Sequence, residues 1–236
     1  MSGDAAWTSL TNADFVTFVE ERARAWYERS NMGSLKVLPS MVDDSERTRT
    51  WVMVRLKQGH LNEIDALHVA ATWLLDAPVD VKRMLARQVE DEARHMDLLA
   101  KRIRELGDDP GDWEPMQGYR TLFDRCLSHR GSLPARVTLE NFGAEMIAAT
   151  WSNLPMIEVF DRTDPETAAL YRNVIQKDEQ FHVAIGRAVI RRYAGSIEDR
   201  REVLAEQDWL FDLLERLKPE YNRRLLEASA ATADGV

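Results

Sequence analysis

Between residues 45 and 193 the chain is written in four long stretches whose apolar residues return every three to four positions, the spacing of one face of an α-helix. The stretch 45–76 joins 79–106 through "LLDAPVD", and 133–161 joins 165–193 through "DRTDPET". Helices joined by so few residues must fold back on each other, so the pattern predicts two antiparallel helical hairpins. No strand-like alternation, hairpin dipeptide or glycine-rich phosphate loop competes with this reading. A helix is expected over 12–30, opened by Asn/Asp and carrying apolar residues at helical spacing, and a short one over 118–130. Gly107 marks the end of 79–106, and Ser132 with Pro134 the start of the third stretch. Beyond the hairpins, "SIED" at 196–199 has the form of a capping box and leads into a helix to about 217, after which Pro219 resets the chain for a short last helix to about 230. Pro155 should kink or split the third long helix. "GSLKVLPSMVDDSE" reads as a connector and "ATADGV" as a frayed tail. The expectation is an all-α protein, one domain over 1–236, with its core bundle at about 45–193, an extra N-terminal helix and extra C-terminal helices at about 196–230.

The balance of 31 Lys+Arg against 40 Asp+Glu gives a net charge of -9, and no basic run with interleaved aromatics stands ready to track a phosphate backbone, so nucleic acid is not an expected partner. No run of apolar residues is long enough to span a membrane, and the start "MSGDAAWTSLTNADF" lacks the form of a signal peptide. Cys126, the single cysteine, permits no intramolecular disulfide and is expected as a buried, inert thiol in a reducing compartment, which together with the N-terminus predicts a cytoplasmic location.

Within the second helix of each hairpin the chain writes Asp-Glu-x-x-His, once as "EDEARH" at 90–95 and once as "KDEQFH" at 177–182. Residues three apart share a helix face, so Glu92 with His95 and Glu179 with His182 present a carboxylate and an imidazole together. Two such copies on core-type helices are roughly a one-in-a-thousand coincidence for a chain of this composition. Burying these groups is costly unless a metal or a network satisfies them, and the donors suit iron or manganese. Asp91 and Asp178 are placed to accept the ring N–H that each ligating histidine leaves over. Arg94 is expected to point away from the metals and pair with surface acids.

A binuclear site also needs a carboxylate from each partner helix. On the first, Glu63 has apolar neighbours one and two turns away and should face inward, whereas Asp65 is rotated about 200° from it and Glu46 sits too near the helix start. On the third helix Glu145 lies in "FGAEMIAAT", whose small residues leave room for an ion. Glu140 is the rival; on a regular helix it stands about 140° from Glu145, so the two cannot face one centre. Glu140 and His60 are reserve ligands, and His68 and His129 read as ordinary residues. Trp51, Leu67, Trp73, Phe142 and Trp151 are candidates for the apolar wall of a substrate cavity, although core packing explains each of them as well.

The set Glu63, Glu92-x-x-His95, Glu145, Glu179-x-x-His182 resembles the ferritin-like di-iron carboxylate superfamily, whose four-helix bundles carry this pattern as a general property. Locally, "EDEARHMDLL" is similar to the iron-binding helix of soluble acyl-carrier-protein desaturases, and "KDEQFHVAIG" to the second such helix of several oxygenase branches. The resemblance implies two ions bridged by Glu92 and Glu179, with Glu63 and Glu145 terminal and one histidine on each ion. It also implies a non-haem oxygenase or oxidase that activates O2 at two Fe ions, with Mn or a mixed Mn/Fe pair as variants. A small organic substrate would be hydroxylated, N-oxygenated or desaturated, an external donor would supply electrons, and homodimerisation is common among such proteins. Leu99 stands where ribonucleotide reductase small subunits keep a radical tyrosine. Ferritins usually lack the second Glu-x-x-His, and rubrerythrins add a cysteine-ligated iron. Two other classes stay open: a metal-handling protein, ferroxidase or manganese catalase, on the same ligands, and a metal-free helical interaction module.

Overall fold

The structure, a computed structural model, describes residues 6–30 and 45–233, with side chains left out at 45–47, Tyr221, Asn222 and several positions beyond. The expected connector falls largely, and the Glu46 side chain wholly, outside the described residues, as do the last three residues of the tail. Every element of regular structure among the described residues is helical: a 3-10 turn at Trp7–Ser9, then α1 (Asn12–Arg29), α2 (Ser45–Asp76), α3 (Val79–Glu105), α4 (Gln117–Ser128), α5 (133–163), α6 (165–193) and α7 (Ile197–Ala233). No helix among them is long and apolar enough to cross a membrane.

Local chemistry sets most of the boundaries. Thr11 accepts from the Asp14 N–H at 3.1 Å to open α1, and Asp164 accepts from the Thr167 N–H at 3.3 Å to open α6 with Pro165 at its first turn. The capping box at α7 is formed, with the Asp199 N–H donating to Ser196 Oγ at 3.0 Å and the Ser196 N–H donating to Asp199 Oδ2 at 3.2 Å. Gly107, at φ 87°, closes α3 in a conformation that a side chain would oppose, and Asp108 N–H then reaches the Ile103 carbonyl at 3.1 Å. Pro219 lies inside α7, which continues through it to Ala233, so the expected break there is absent.

The two hairpins pack into a ring in which α2 meets α3, α3 meets α6, α6 meets α5 and α5 meets α2. Fully buried Trp51, Leu56, Leu85, Leu99, Leu139 and Phe142 lie in this core, and each contributes about 1.5–3 kcal/mol or more on burial. Outside the ring, α1 packs on α6 and α7, with Trp26 stacked on Phe211 at 4.5 Å, while α4 and α7 cover the side where α2 meets α5.

The second hairpin is not regular. Three stretches, Glu140–Ala144, Ala148–Ser152 and Tyr171–Ile175, form wide turns closed by i→i+5 backbone bonds. Pro155 does not split the chain. It lacks the N–H that would bond the Trp151 carbonyl, and that carbonyl accepts from Tyr27 Oη at 3.2 Å instead. A Cβ on Gly143 would stand 2.2 Å from the Thr138 carbonyl oxygen, and one on Gly186 would stand 2.9 Å from the Phe142 nitrogen, so both glycines are demanded by close backbone approach around the first wide turn.

Candidate metal centre

Glu63 reaches the bundle interior from α2, Glu92 and His95 from α3, Glu145 from α5, and Glu179 and His182 from α6. Among the described residues two groups bring ligand atoms within 4.8 Å of one another: Glu63, Glu92, His95 and Glu179 in one, Glu92, Glu145 and His182 in the other. Glu92 belongs to both. Its Oε2 lies 3.4 Å from His95 Nδ1 and its Oε1 lies 3.2 Å from His182 Nδ1, so the two oxygens of one carboxylate address two imidazoles. His95 Nδ1 also faces Glu63 Oε2 at 3.3 Å and Glu179 Oε1 at 4.0 Å, and His182 Nδ1 faces Glu145 Oε1 at 3.4 Å. Both histidines are wholly buried, with ring centroids 6.2 Å apart. Glu179 joins the His95 group alone.

The outward ring nitrogens are backed crosswise. His95 Nε2 hydrogen-bonds Asp178 Oδ2 at 3.1 Å, while His182 Nε2 only faces Asp91 Oδ2 at 3.5 Å, so each motif's aspartate faces the other motif's histidine. Arg94 does not seek surface acids: its Nη2 binds Asp91 at 2.6 Å and Asp178 at 2.8 Å, bridging α3 and α6, and Arg87 adds a contact to Asp91 at 3.3 Å. Arg94 faces outward because the inner side of α3 is taken by Glu92 and His95, and from there the nearest anions are the two aspartates.

Two further residues, which sequence reasoning passed over, hold the carboxylates in place. Gln88, buried, donates to Glu92 Oε1 at 3.1 Å and Glu145 Oε1 at 2.9 Å. Asn141, also buried, donates to Gln88 Oε1 at 2.8 Å and Glu145 Oε2 at 3.2 Å. Each stands four residues before a ligand-type glutamate, a spacing that shares its face and was a usable signal.

The wide turn at Glu140–Ala144 changes the relation of the two rivals on α5. The Glu145 N–H bonds the Glu140 carbonyl, so the two glutamates sit one wide turn apart rather than the 140° of a regular helix, and both line the same cavity. Only Glu145 enters a ligand group; Glu140 contacts the Cys126 thiol at 3.9 Å, and Cys126 is buried as expected. His60 is turned to the Met96 carbonyl at 3.1 Å and lies outside both groups, so it is not a reserve ligand here. His129 pairs with Glu206 at 3.0 Å and lies outside both groups.

Burial alone would lower the His95 imidazole, but Glu63 and Glu92 beside it push it up to about 11, and the carboxylates likewise hold His182 well above its ordinary range. Burial raises Glu63 to about 7 and, with Glu145 and Glu63 nearby, raises Glu179 well above the carboxylate range. Burial would raise Glu92 too, yet the imidazoles hold it at about 2. Glu92 Oε2 and both ring nitrogens of His182 are buried without a hydrogen-bond partner, their close neighbours being misaligned for one. Those three open atoms, with the carboxylates of Glu63, Glu145 and Glu179 and the His95 imidazole around them, are of the chemistry that could hold divalent cations.

A cavity of ≈ 190 Å³ opens on the carboxylate side, between α2 and α5 under α4 and α7, with Glu63, Glu92, Glu145 and Glu179 at its floor. Of the five residues expected as an apolar wall only Trp51 lines it; Trp73 donates to the Cys126 carbonyl at 3.2 Å, and Trp151 stacks on Tyr27.

The chain is thus an all-helical protein whose two hairpins converge on a doubly represented carboxylate–histidine cluster. Residues 22–231 match the family described as Protein of unknown function (DUF455), and the chain belongs to that family. No curated protein and no solved structure matches it.

Proposed function

We propose that this chain is a ferritin-like four-helix bundle that holds two iron ions and uses O2 to oxidise a small organic substrate, as an oxygenase or oxidase. The observation that supports this most is Glu92, one buried carboxylate whose two oxygens each face a different, equally buried histidine at 3.4 and 3.2 Å. Glu63, His95 and Glu179 would hold one ion and Glu145 and His182 the other, with Glu92 between them; manganese, alone or with iron, would use the same donors. When bound, such a pair supplies O2 activation that side chains alone do not. Four carboxylates offset the charge of two divalent ions in a buried site. Asp178 and Asp91 fix the ring nitrogen that each histidine turns inward, and Arg94 fixes the aspartates. Gln88 and Asn141 orient Glu92 and Glu145, and the apolar side chains of α4 and α7 shelter the carboxylate floor from water. Electrons would come from an external donor.

The adjoining cavity favours an organic substrate over a purely metal-handling role. Anaerobic titration with ferrous iron followed by elemental analysis should give two ions per chain. Mixing with O2 should then give an absorption transient whose decay depends on an added small molecule. Peroxide or iron consumption indifferent to every compound would instead assign the protein to ferroxidase or catalase chemistry. No metal uptake at all would leave a helical interaction module.

A further inference from the structure

Three polar residues of the cavity wall, none of them part of the metal centre, are joined in one chain of hydrogen bonds whose direction can be read from its fixed end. Gln58 on α2, only 3% exposed, accepts at Oε1 from the Trp113 indole N–H at 3.1 Å and from the Met116 backbone N–H at 3.0 Å. Both partners are donors only, so the Gln58 amide has one possible orientation. Its Nε2 then donates to Asn62 Oδ1, one helical turn on, at 2.8 Å. Asn62, its oxygen engaged, turns its own N–H to the Tyr119 hydroxyl on α4. Burial raises the Tyr119 phenol, and Arg55 and the Asn62 bond hold it back; a hydrogen bond that acts in this sense is one that the phenol oxygen accepts. The Tyr119 hydrogen is therefore the open end of the chain. Gln58, Asn62 and Tyr119 line the cavity together with Glu63. Asn62 directly precedes Glu63, about 1.5 Å from it along the helix axis, so the chain ends at the cavity beside the acidic floor.

We propose that Tyr119, oriented through Asn62 and Gln58, donates a hydrogen bond to the substrate of the proposed metal centre, and that this substrate is a small molecule with an oxygen acceptor of carbonyl type. The inference deepens the proposed function and rests on it for the reacting end alone. Each bond in such a chain polarises the next, so the last donor is stronger than an isolated phenol. The amide oxygens are engaged inside the chain, and what this wall offers a ligand is N–H and O–H. A carbonyl oxygen satisfies such donors, whereas an alkyl group in its place leaves them buried and unpaired. Leu122, Phe123 and Ile147 line the same cavity and suit an apolar body. The ≈ 190 Å³ volume is below the roughly 300–1,000 Å³ of sites for drug-sized ligands, which sets the substrate as small. Held at Tyr119, the carbonyl fixes which end of the molecule lies next to the carboxylates.

The test is calorimetric titration of the full chain, metal-free and loaded anaerobically with ferrous iron, with acetophenone and its shape-matched hydrocarbon ethylbenzene as probes. Acetophenone should bind about tenfold more tightly, and the infrared carbonyl stretch of bound acetophenone should lie at the low frequency of a hydrogen-bonded ketone. In Tyr119→Phe the preference should vanish and the stretch should move up to its value in a hydrocarbon solvent, with ethylbenzene affinity, metal content and Tm as controls. Asn62→Ala keeps the phenol but frees it to turn, so preference and stretch should move part of the way; this variant carries the test should Tyr119→Phe fail to fold. Equal affinity for the two probes, or a preference and stretch untouched by Tyr119→Phe, would overturn the proposal and leave the hydroxyl a role in packing or in holding cavity water. The carbonyl preference in a chain that takes up no iron would sink the metal reading alone, and iron uptake without the preference would sink the subsite alone.

Discussion

The two hairpins carry the same motif on very different backbones. In the first, α2 and α3 are regular from end to end, and a residue's face follows from counting along the helix. In the second, α5 is interrupted by two wide turns and α6 by one, all close to ligand-type residues or the cavity. Wide turns of this kind re-aim every residue after them, which is how Glu140, Glu145 and Asn153 come to border one cavity. The comparison teaches that the first hairpin supplies a rigid reference and the second the shape of the site. Asn141 and Gln88 tie the two together.

The severest break should come at the residue both halves share. Glu92→Ala removes the carboxylate common to both groups, so elemental analysis should show both ions lost, whereas Glu63→Ala and Glu145→Ala should each remove one. Equal loss in all three would show that the halves do not hold separate ions.

Next is backbone crowding. Gly143→Ala forces a Cβ to within 2.2 Å of a carbonyl oxygen in the second hairpin, at a cost of about 1–3 kcal/mol, or about 2–4 °C of Tm per kcal/mol. In the first hairpin Gly59→Ala meets the Tyr171 hydroxyl at 3.2 Å and Leu99 Cδ1 at an ordinary 3.6 Å, side-chain tips rather than backbone, and gains up to about 1 kcal/mol of helix propensity, so its Tm should hold or rise. Thermal melts of both variants check the contrast.

The crossed aspartates should respond more mildly. Arg94→Gln loosens Asp91 and Asp178 at once, and metal affinity should fall about tenfold at both positions, since removal of groups behind metal ligands typically costs about 10–100-fold. A loss confined to one ion would show that the cross-bracing is not shared.

The pH response separates empty from loaded protein. In the metal-free chain His95, ordinarily near 6.5, is raised to about 11, so its contribution is full below 6.5 and is lost as pH climbs through about 11. Glu63, raised from 4.5 to about 7, is lost over that lower window in the same direction. Glu92, lowered to about 2, acts oppositely: its contribution holds above 4.5 and is lost as pH falls towards about 2. Tm of the metal-free protein should therefore decline from neutral to alkaline pH. The extra stability given by metal should grow over the same range, because ions displace the protons that these ligands hold. A Tm of metal-free protein that rises with pH there would contradict the assignment.

How much was legible can be judged from single residues. The bounds of α2 and α6 follow from periodicity and from Asp164 with Pro165, because caps and amphipathic faces are local. Glu63 was placed by its apolar neighbours on a regular helix, and Glu145 was preferred to Glu140 for the space that small residues leave. The wide turns escaped, since an inserted residue leaves no local mark and is held by tertiary contacts: Gly143 against the Thr138 carbonyl, Gln176 donating to the Ala149 carbonyl at 2.7 Å, Tyr27 replacing the bond that Pro155 cannot make. Pro219 was misread for the complementary reason: the helix is tied down on either side of it, with Leu217 buried, Glu220 accepting from the Gln117 and Gly118 N–H groups and Arg224 donating to the Glu114 carbonyl.

What the sequence determined by itself was the all-helical pairing and the presence of two carboxylate–imidazole pairs, because three-residue spacing on a helix fixes a common face whatever surrounds it. Only the tertiary structure decided that Glu92 lies between both histidines, that each aspartate faces the opposite motif, and that Asn62 and Tyr119 share a cavity with the acids. Those relations depend on how α3 is set against α6, and α2 against α4 and α5, and packing between elements distant in the chain has no local code.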